Sequence, residues 1–184
     1  MIIYLAGPLF TTAERNFNAQ LAALLRENHD VWVPQEADQH NMSPRDIFDD
    51  DVKHLEQAEV IVANMDGPDP DSGTCWECGY AYGVKRIIAF RTDFRAVVEI
   101  GGDLLPAKER DKAPYNPMLT ESADIRLDLP QKSVTEVAAS IEAALDALPS
   151  MPRRTRPAQA FVEITSTSAE RREPSPRSRG TKKR

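Results

Sequence analysis

Cysteine is scarce in this chain, two residues in 184, which is too few for a disulfide framework and points to a reducing, cytoplasmic setting. Long apolar runs are missing: nothing approaches the roughly 20 residues of a membrane-spanning helix. The opening stretch, MIIYLAGPLF, has no basic region and too short an apolar segment for a secretory signal, so none is expected. Glycine-rich phosphate loops are absent, with neither a Walker A sequence nor G-x-G-x-x-G. His29, His40 and His54 are the only histidines, scattered without metal-ligand spacing, so no metal and no other cofactor is expected. No internal repeat is visible.

What is present is a globular composition, 41% apolar, at a length that suits one domain and a modest extension. Charge divides the chain. Residues 151–184 hold 10 Lys and Arg against 3 Asp and Glu, whereas 1–150 hold 13 against 26. An acidic body repels nucleic acid and anionic membranes, so neither is an expected partner. The remainder is basic, rich in Pro, Ser and Arg, and has little to bury. Residues 150–184 therefore read as a disordered tail after a domain at 1–149, although the alternation in 160–167 would allow a short strand.

Within the body, β-like runs alternate with helical segments. Ile2–Ala6 is followed by a helix over 12–28, Val31–Val33 by a helix over 44–58 capped by Ser43, and Glu59–Asn64 by a helix over 74–84. Arg86–Arg91 reads as a fourth strand, 92–115 as a long loop and 124–128 as a short strand. A final helix spans 133–147, with Ser133 and Glu136 as a capping box. This alternation predicts parallel βαβ units with helices on both faces of one sheet, and ligands at the carboxyl ends of its strands. The loops at 7–12, 34–43, 65–74 and 91–95 should share that edge.

The chemistry concentrates at 65–83, where Asp66, Asp69, Asp71 and Glu77 straddle a strand end and a helix start. A helix N-terminus favours ionised carboxylates, and such a group at a sheet crevice is a competent nucleophile toward an electrophilic sugar carbon. A plainer reading also stands: Thr74-Cys75-Trp76-Glu77 fits a capping box in which Glu77 only secures the helix. Cys75 and Cys78 fit either a C-x-x-C redox dithiol or two small apolar thiols packed at a helix start.

Three separated motifs carry a resemblance. Y-L-A-G-P-L-F at 4–10, D-V-x-x-L-x-x-A-E-V-I-V-A-N at 51–64 and D-S-G-T-x-x-E-x-G-Y-A at 71–81 resemble the nucleoside 2-deoxyribosyltransferase family. The resemblance implies an α/β fold, three-layer and Rossmann-like (flavodoxin-like), with a central mostly parallel five-stranded sheet. It also implies ping-pong exchange of the base on a 2′-deoxyribonucleoside, with a deoxynucleoside and a free nucleobase as partners. By this resemblance Glu77 matches the nucleophile, Tyr4 the tyrosine that orients it, and Asp71 the aspartate that contacts and protonates the base. Asp51 matches the residue holding the sugar hydroxyls, Phe10 an aromatic beside the base, and Gly7 belongs to the same first motif. Asn116 and Met118 match an N-x-M element that reaches a neighbouring subunit's site, which implies a homo-oligomer, dimer to hexamer.

Each of these residues has an alternative duty. Tyr4 fits a core strand, Asp51 a solvated Asp49–Asp51 run, Asp71 a turn with Pro70, and Phe10 a staple before the Thr11/Thr12 cap. For Asp71, the company of Asp66 and Asp69 would favour a protonated acid. Arg91 and Arg95 would line the base pocket or offset acidic surface, and Gln35 or Gln39 would contact the base. Related deoxynucleotide N-hydrolases carry a Ser/Arg/Gly-rich phosphate loop after the first strand. G-P-L-F-T-T at 7–12 has no basic residue, which favours an unphosphorylated substrate. Hydrolysis of deoxynucleosides or their 5′-monophosphates, and a binding domain without turnover, remain the other readings.

Overall fold

The computed structural model describes residues 1–94 and 115–148. Arg95, most of the 92–115 loop, the 160–167 stretch and the 150–184 tail lie outside them. The elements run β1 (Ile2–Ala6), α1 (Thr12–Leu25), β2 (Asp30–Trp32), a 3₁₀ turn (Pro34–Glu36), α2 (Pro44–Gln57), β3 (Val60–Asn64), α3 (Ser72–Ala81), β4 (Arg86–Arg91), α4 (Pro117–Thr120), β5 (Ile125–Asp128) and α5 (Val134–Ala147).

All five strands are parallel, in the order β2-β1-β3-β4-β5. The expected fold class holds. A parallel sheet is covered on both faces, and its strands read as near-continuous apolar runs, as Ile2–Ala6 and Val60–Asn64 do. Strand alternation then sorts them. Ile3, Leu5, Val60, Val62, Ile88 and Phe90 face α1 and α5 in one apolar cluster. Tyr4, Ala6, Ile61, Ala63, Ile87 and Ala89 face the other way, clustered with Leu55 of α2, Cys78 and Ala81 of α3, and Leu119 of α4.

Local chemistry sets the helix ends. Thr11 with Glu14, Ser43 with Asp46 and Ser133 with Glu136 form reciprocal capping boxes. Gly83, at φ +76°, turns the chain from α3 into β4, a conformation that favours glycine. Some boundaries differ from expectation. α1 stops at Leu25, because the Asn28 and His29 amides bond back to its carbonyl in a turn. β2 gains Asp30 and loses Val33, which leads into the 3₁₀ turn. α3 starts at Ser72, since its N-cap is Asp71 and not Thr74. No helix among the described residues is long and apolar enough to cross a membrane.

Candidate active site

Strand order reverses between β1 and β3: from β1 the chain moves outward to β2, and from β3 the other way to β4. Crevices at such a reversal are where doubly wound sheets bind ligands. Gly7 closes β1 here. A Cβ at this position would lie 3.1 Å from Asn64 Cβ, so only glycine lets the two strand ends come this close without displacement.

On the α2/α3 side of this crevice, Tyr4 is fully buried in the middle of β1. Its hydroxyl donates to Glu77 Oε1 at 2.5 Å. Glu77 lies in the second turn of α3, beyond any capping position, which removes the capping-box reading of Thr74–Glu77. Burial, reinforced by the adjacent Glu77 charge, pushes the Tyr4 phenol far above its usual range, so it stays a donor. Burial also raises the Glu77 carboxyl to about 7. The Tyr4 bond opposes that rise, and the charges of Asp51 and Asp71 add to it.

Asp51 comes to the same place from α2. Burial, then the neighbouring Asp50 charge, raise its carboxyl to about 6, with His54 acting against them. Among the described residues, Asp51 Oδ1 is buried and has no hydrogen-bond partner. Behind it stands an aromatic column. Trp32 lies 5.0 Å from the Tyr4 ring and stacks on His54 at 4.2 Å and 11°. The His54 Nδ1–H donates to the Asp50 carbonyl at 2.8 Å. Phe48 and Trp76 meet edge-on at 5.2 Å, and the Tyr80 hydroxyl donates to Glu56 Oε1 at 2.6 Å, so α2 and α3 are tied together.

Asp71 caps α3: its Oδ2 accepts from the Thr74 amide at 3.0 Å and lies 3.4 Å from the Thr74 hydroxyl. Asp66 is engaged elsewhere, accepting from the Thr92 amide and hydroxyl at 2.6 Å each and from the Asp93 amide at 2.8 Å. Gln35 is committed to the scaffold. It accepts from Asn18 Nδ2 at 3.1 Å and donates to the Arg15 carbonyl at 2.9 Å, while Asn18 also holds the Pro8 carbonyl at 2.9 Å.

Phe10 stands 75% exposed on the loop after β1. Asn116 Oδ1 caps α4 by accepting from the Met118 amide at 2.9 Å, and the Met118 side chain is 81% exposed. The structure thus gathers Tyr4, Asp51 and Glu77, with Asp71 close enough to act on Glu77 through its charge. Phe10, Asn116 and Met118 point outward. Arg91 is buried at the end of β4, its guanidinium 4.0 Å from the Asp93 carboxylate. Burial pushes the Cys78 thiol up to about 12 and raises the Cys75 thiol, the reverse of an activated dithiol. Among the described residues no group of three or more His, Cys, Asp or Glu could hold a metal ion.

Sequence reasoning missed Trp32, His54, Asn18 and Asn64. Asn18 had a signal, a polar residue in the apolar stripe of α1 that holds Leu21 and Leu25. Asn64 had one too, closing an apolar strand. It is buried, and its Oδ1 accepts from the Asp66 amide at 2.8 Å.

A family model described as nucleoside 2-deoxyribosyltransferase matches residues 3–137. An uncharacterized protein of Ureaplasma parvum is 32% identical over 114 residues, covering 50% of this chain and 71% of that protein. A 2-desoxiribosyltransferase from Leishmania mexicana superposes with TM-score 0.56 at 24% identity, covering 77% of this chain and 97% of its own. A CMP N-glycosidase from Clostridium botulinum superposes with TM-score 0.50 at 17% identity, covering 78% and 99%. At these identities the structural likenesses speak for a shared fold.

Proposed function

This chain belongs to the nucleoside 2-deoxyribosyltransferase family, and from that membership we propose that it exchanges the base of 2′-deoxynucleosides through a covalent deoxyribosyl-Glu77 intermediate. The observation that carries this reading is the 2.5 Å bond from the Tyr4 hydroxyl to Glu77 Oε1. It holds one carboxylate oxygen and leaves the other to act.

In the first half-reaction a Glu77 oxygen attacks C1′ from the face opposite the base. The C1′–N bond breaks, its electron pair goes to the base, and Asp71 delivers the proton that makes the base a neutral leaving group. General acid help of this kind is worth about 10²–10⁴-fold. The oxocarbenium-like transition state gains from the ionised carboxylate beneath it. In the second half, a new base attacks C1′ of the ester, gives its proton to Asp71 and releases Glu77, restoring the configuration. Asp51 Oδ1 accepts a sugar hydroxyl. Phe10 lies beside the base, and Gly7 keeps the floor of the crevice low.

Residues 1–149 form the catalytic unit in this reading, with 150–184 as a basic extension. The exposed Met118, with Asn116, completes the site of a second copy in a homo-oligomer. No cofactor takes part. Water replacing the second base would make the chain a hydrolase, and the CMP N-glycosidase of shared fold keeps that reading in view.

Incubating the chain with deoxyinosine and adenine should yield deoxyadenosine, and deoxyinosine alone should release hypoxanthine far more slowly. Comparable release without acceptor would favour the hydrolase. A slow 2-fluorinated donor should leave a sugar adduct on the peptide holding Glu77, and an adduct on another residue would refute the mechanism. Activity confined to a sedimenting oligomer would support the role given to Asn116 and Met118.

A further inference from the structure

Asp51 Oδ1 is buried and accepts no hydrogen bond among the described residues. No bond fixes that oxygen, so its place in the crevice depends on where α2 stands over the sheet. Leu55 seats the helix in the apolar cluster. His54, three positions after Asp51 and therefore its neighbour on the helix surface, lies flat on Trp32 of β2, with ring centres 4.2 Å apart and planes 11° apart. The same indole lies 5.0 Å from the Tyr4 ring. One side chain of β2 thus supports both the tyrosine that holds Glu77 and the turn of helix that carries Asp51.

The imidazole is held in one orientation. Its Nδ1–H donates to the Asp50 carbonyl at 2.8 Å, a group that only accepts, so the hydrogen sits on Nδ1 and Nε2 keeps the lone pair. A second proton, taken up at Nε2, makes the ring a cation, and the side chain is exposed enough for water to deliver it. The ionisable groups facing Asp51 are Asp50 and His54 on α2, Tyr4 on β1 and Glu77 on α3. The carboxyls and the phenol add only negative charge when they ionise. The imidazole alone adds positive charge. Burial and the Asp50 charge disfavour the ionised form of Asp51, and His54 acts against both. An ionised carboxylate accepts a hydroxyl about twice as strongly as a neutral one.

We propose that His54 is a positioning residue for Asp51: stacked on Trp32, its ring fixes where α2 sets that carboxylate against Tyr4 and Glu77, and its positive charge keeps the carboxylate in the form that best accepts a sugar hydroxyl. This rests on the transferase reading above and adds to it a control of sugar affinity by a residue that itself touches no substrate.

The test compares the full chain with His54→Phe, which keeps a flat ring on Trp32 but removes the charge, and with His54→Ala, which removes both. Carbon-13 NMR of the aspartate carboxyls, with the Asp51 signal assigned by its loss in Asp51→Asn, gives the titration midpoint of Asp51 without any substrate. That midpoint should rise by about half a pH unit or more in His54→Phe. Exchange between deoxyinosine and adenine, followed per folded molecule, gives KM and kcat. At pH 8 the KM of His54→Phe should match the wild-type value within about twofold, and at pH 6 it should exceed it about threefold or more. In His54→Ala, KM should rise about tenfold or more at both pH values, with kcat falling by less. A role confined to stability would lower the unfolding midpoint while leaving KM and the Asp51 titration unmoved, which would overturn the proposal. So would an unmoved Asp51 midpoint in His54→Phe. Should His54→Ala unfold, His54→Phe decides. Because the titration is read without turnover, a shifted midpoint with no exchange in any chain would sink the transferase reading and leave the pairing of His54 with Asp51 standing.

Discussion

The two faces of the sheet are built from the same strands and do opposite things. Toward α1 and α5 the strands present Ile3, Leu5, Val62, Ile88 and Phe90, large side chains with no ionisable group among them. Toward α2 and α3 they present Tyr4, Ile61 and Ile87, with alanines at Ala6, Ala63 and Ala89. The three alanines leave space above the strands, and α2 and α3 bring Asp51 and Glu77 to that side. One face maximises apolar burial. The other gives up some of that burial to hold two carboxylates whose charged forms are disfavoured by their surroundings. Stability and chemistry are thereby separated across the thickness of one sheet, and period-two alternation does the separating.

That division can be broken from either side. The largest effect should come from Glu77→Gln, which should lower exchange about 10⁴-fold or more while leaving the fold intact, read by initial rates and circular dichroism. Ile88→Ala, on the opposite face, should cost about 2–5 kcal/mol in denaturant unfolding, yet leave turnover per folded molecule within about threefold. If Ile88→Ala impaired turnover as severely as Glu77→Gln, the separation would be false. Tyr4→Phe should reduce kcat about 10–100-fold, an effect of roughly 1–3 kcal/mol for a lost bond to a charged group. It should also move the acidic limb of the pH profile upward, since the lost bond favours the ionised form of Glu77. In the wild-type chain that limb should lie near 7, with activity rising as Glu77 loses its proton.

The last effect concerns stability alone and leaves turnover aside. The folded chain holds Glu77 protonated up to about 7, against an ordinary value of 4.5, so it binds more protons than the unfolded chain across that interval. Stability therefore falls as pH rises from about 4.5 and levels off above about 7, a loss of about 3 kcal/mol. Asp51, raised from 3.8 to about 6, contributes in the same direction at lower pH. Glu77→Gln should flatten the part due to Glu77, measured by urea midpoints at pH 5 and pH 8. Equal slopes in both chains would show that Glu77 is not held neutral by its burial.

How much of this was legible in the sequence depended on the range of the interaction. The strands and their two-sided patterning are local, and Ile2–Ala6 and Arg86–Arg91 stand where apolar runs and turn residues put them. The caps at Ser43 and Ser133 are equally local. The start of α3, expected at Thr74, lies earlier at Ser72 for a physical reason. Asp71-Ser-Gly-Thr74 and Thr74-Cys-Trp-Glu77 are both cap patterns, offset by one helical turn, and helical periodicity accommodates either. The structure selects Asp71, which frees Glu77 to meet Tyr4. Trp32 on β2 and His54 on α2 become neighbours only because β2 pairs with β1 and α2 packs over them, and no local pattern announces such a stack. Gln35 looked available for a base, and its engagement by Asn18 and the Arg15 carbonyl is likewise a tertiary fact.

Asp51 Oδ1, shielded from water and facing no donor among the described residues, leaves their architecture incomplete by one contact. A group buried in this way costs about 1–3 kcal/mol until something donates to it. An incoming hydroxyl would then act as a missing piece of the scaffold as much as a cargo, so affinity and heat resistance would be coupled through a single oxygen. Sugars that offer a donor there would be recognised before any bond to carbon is made or broken.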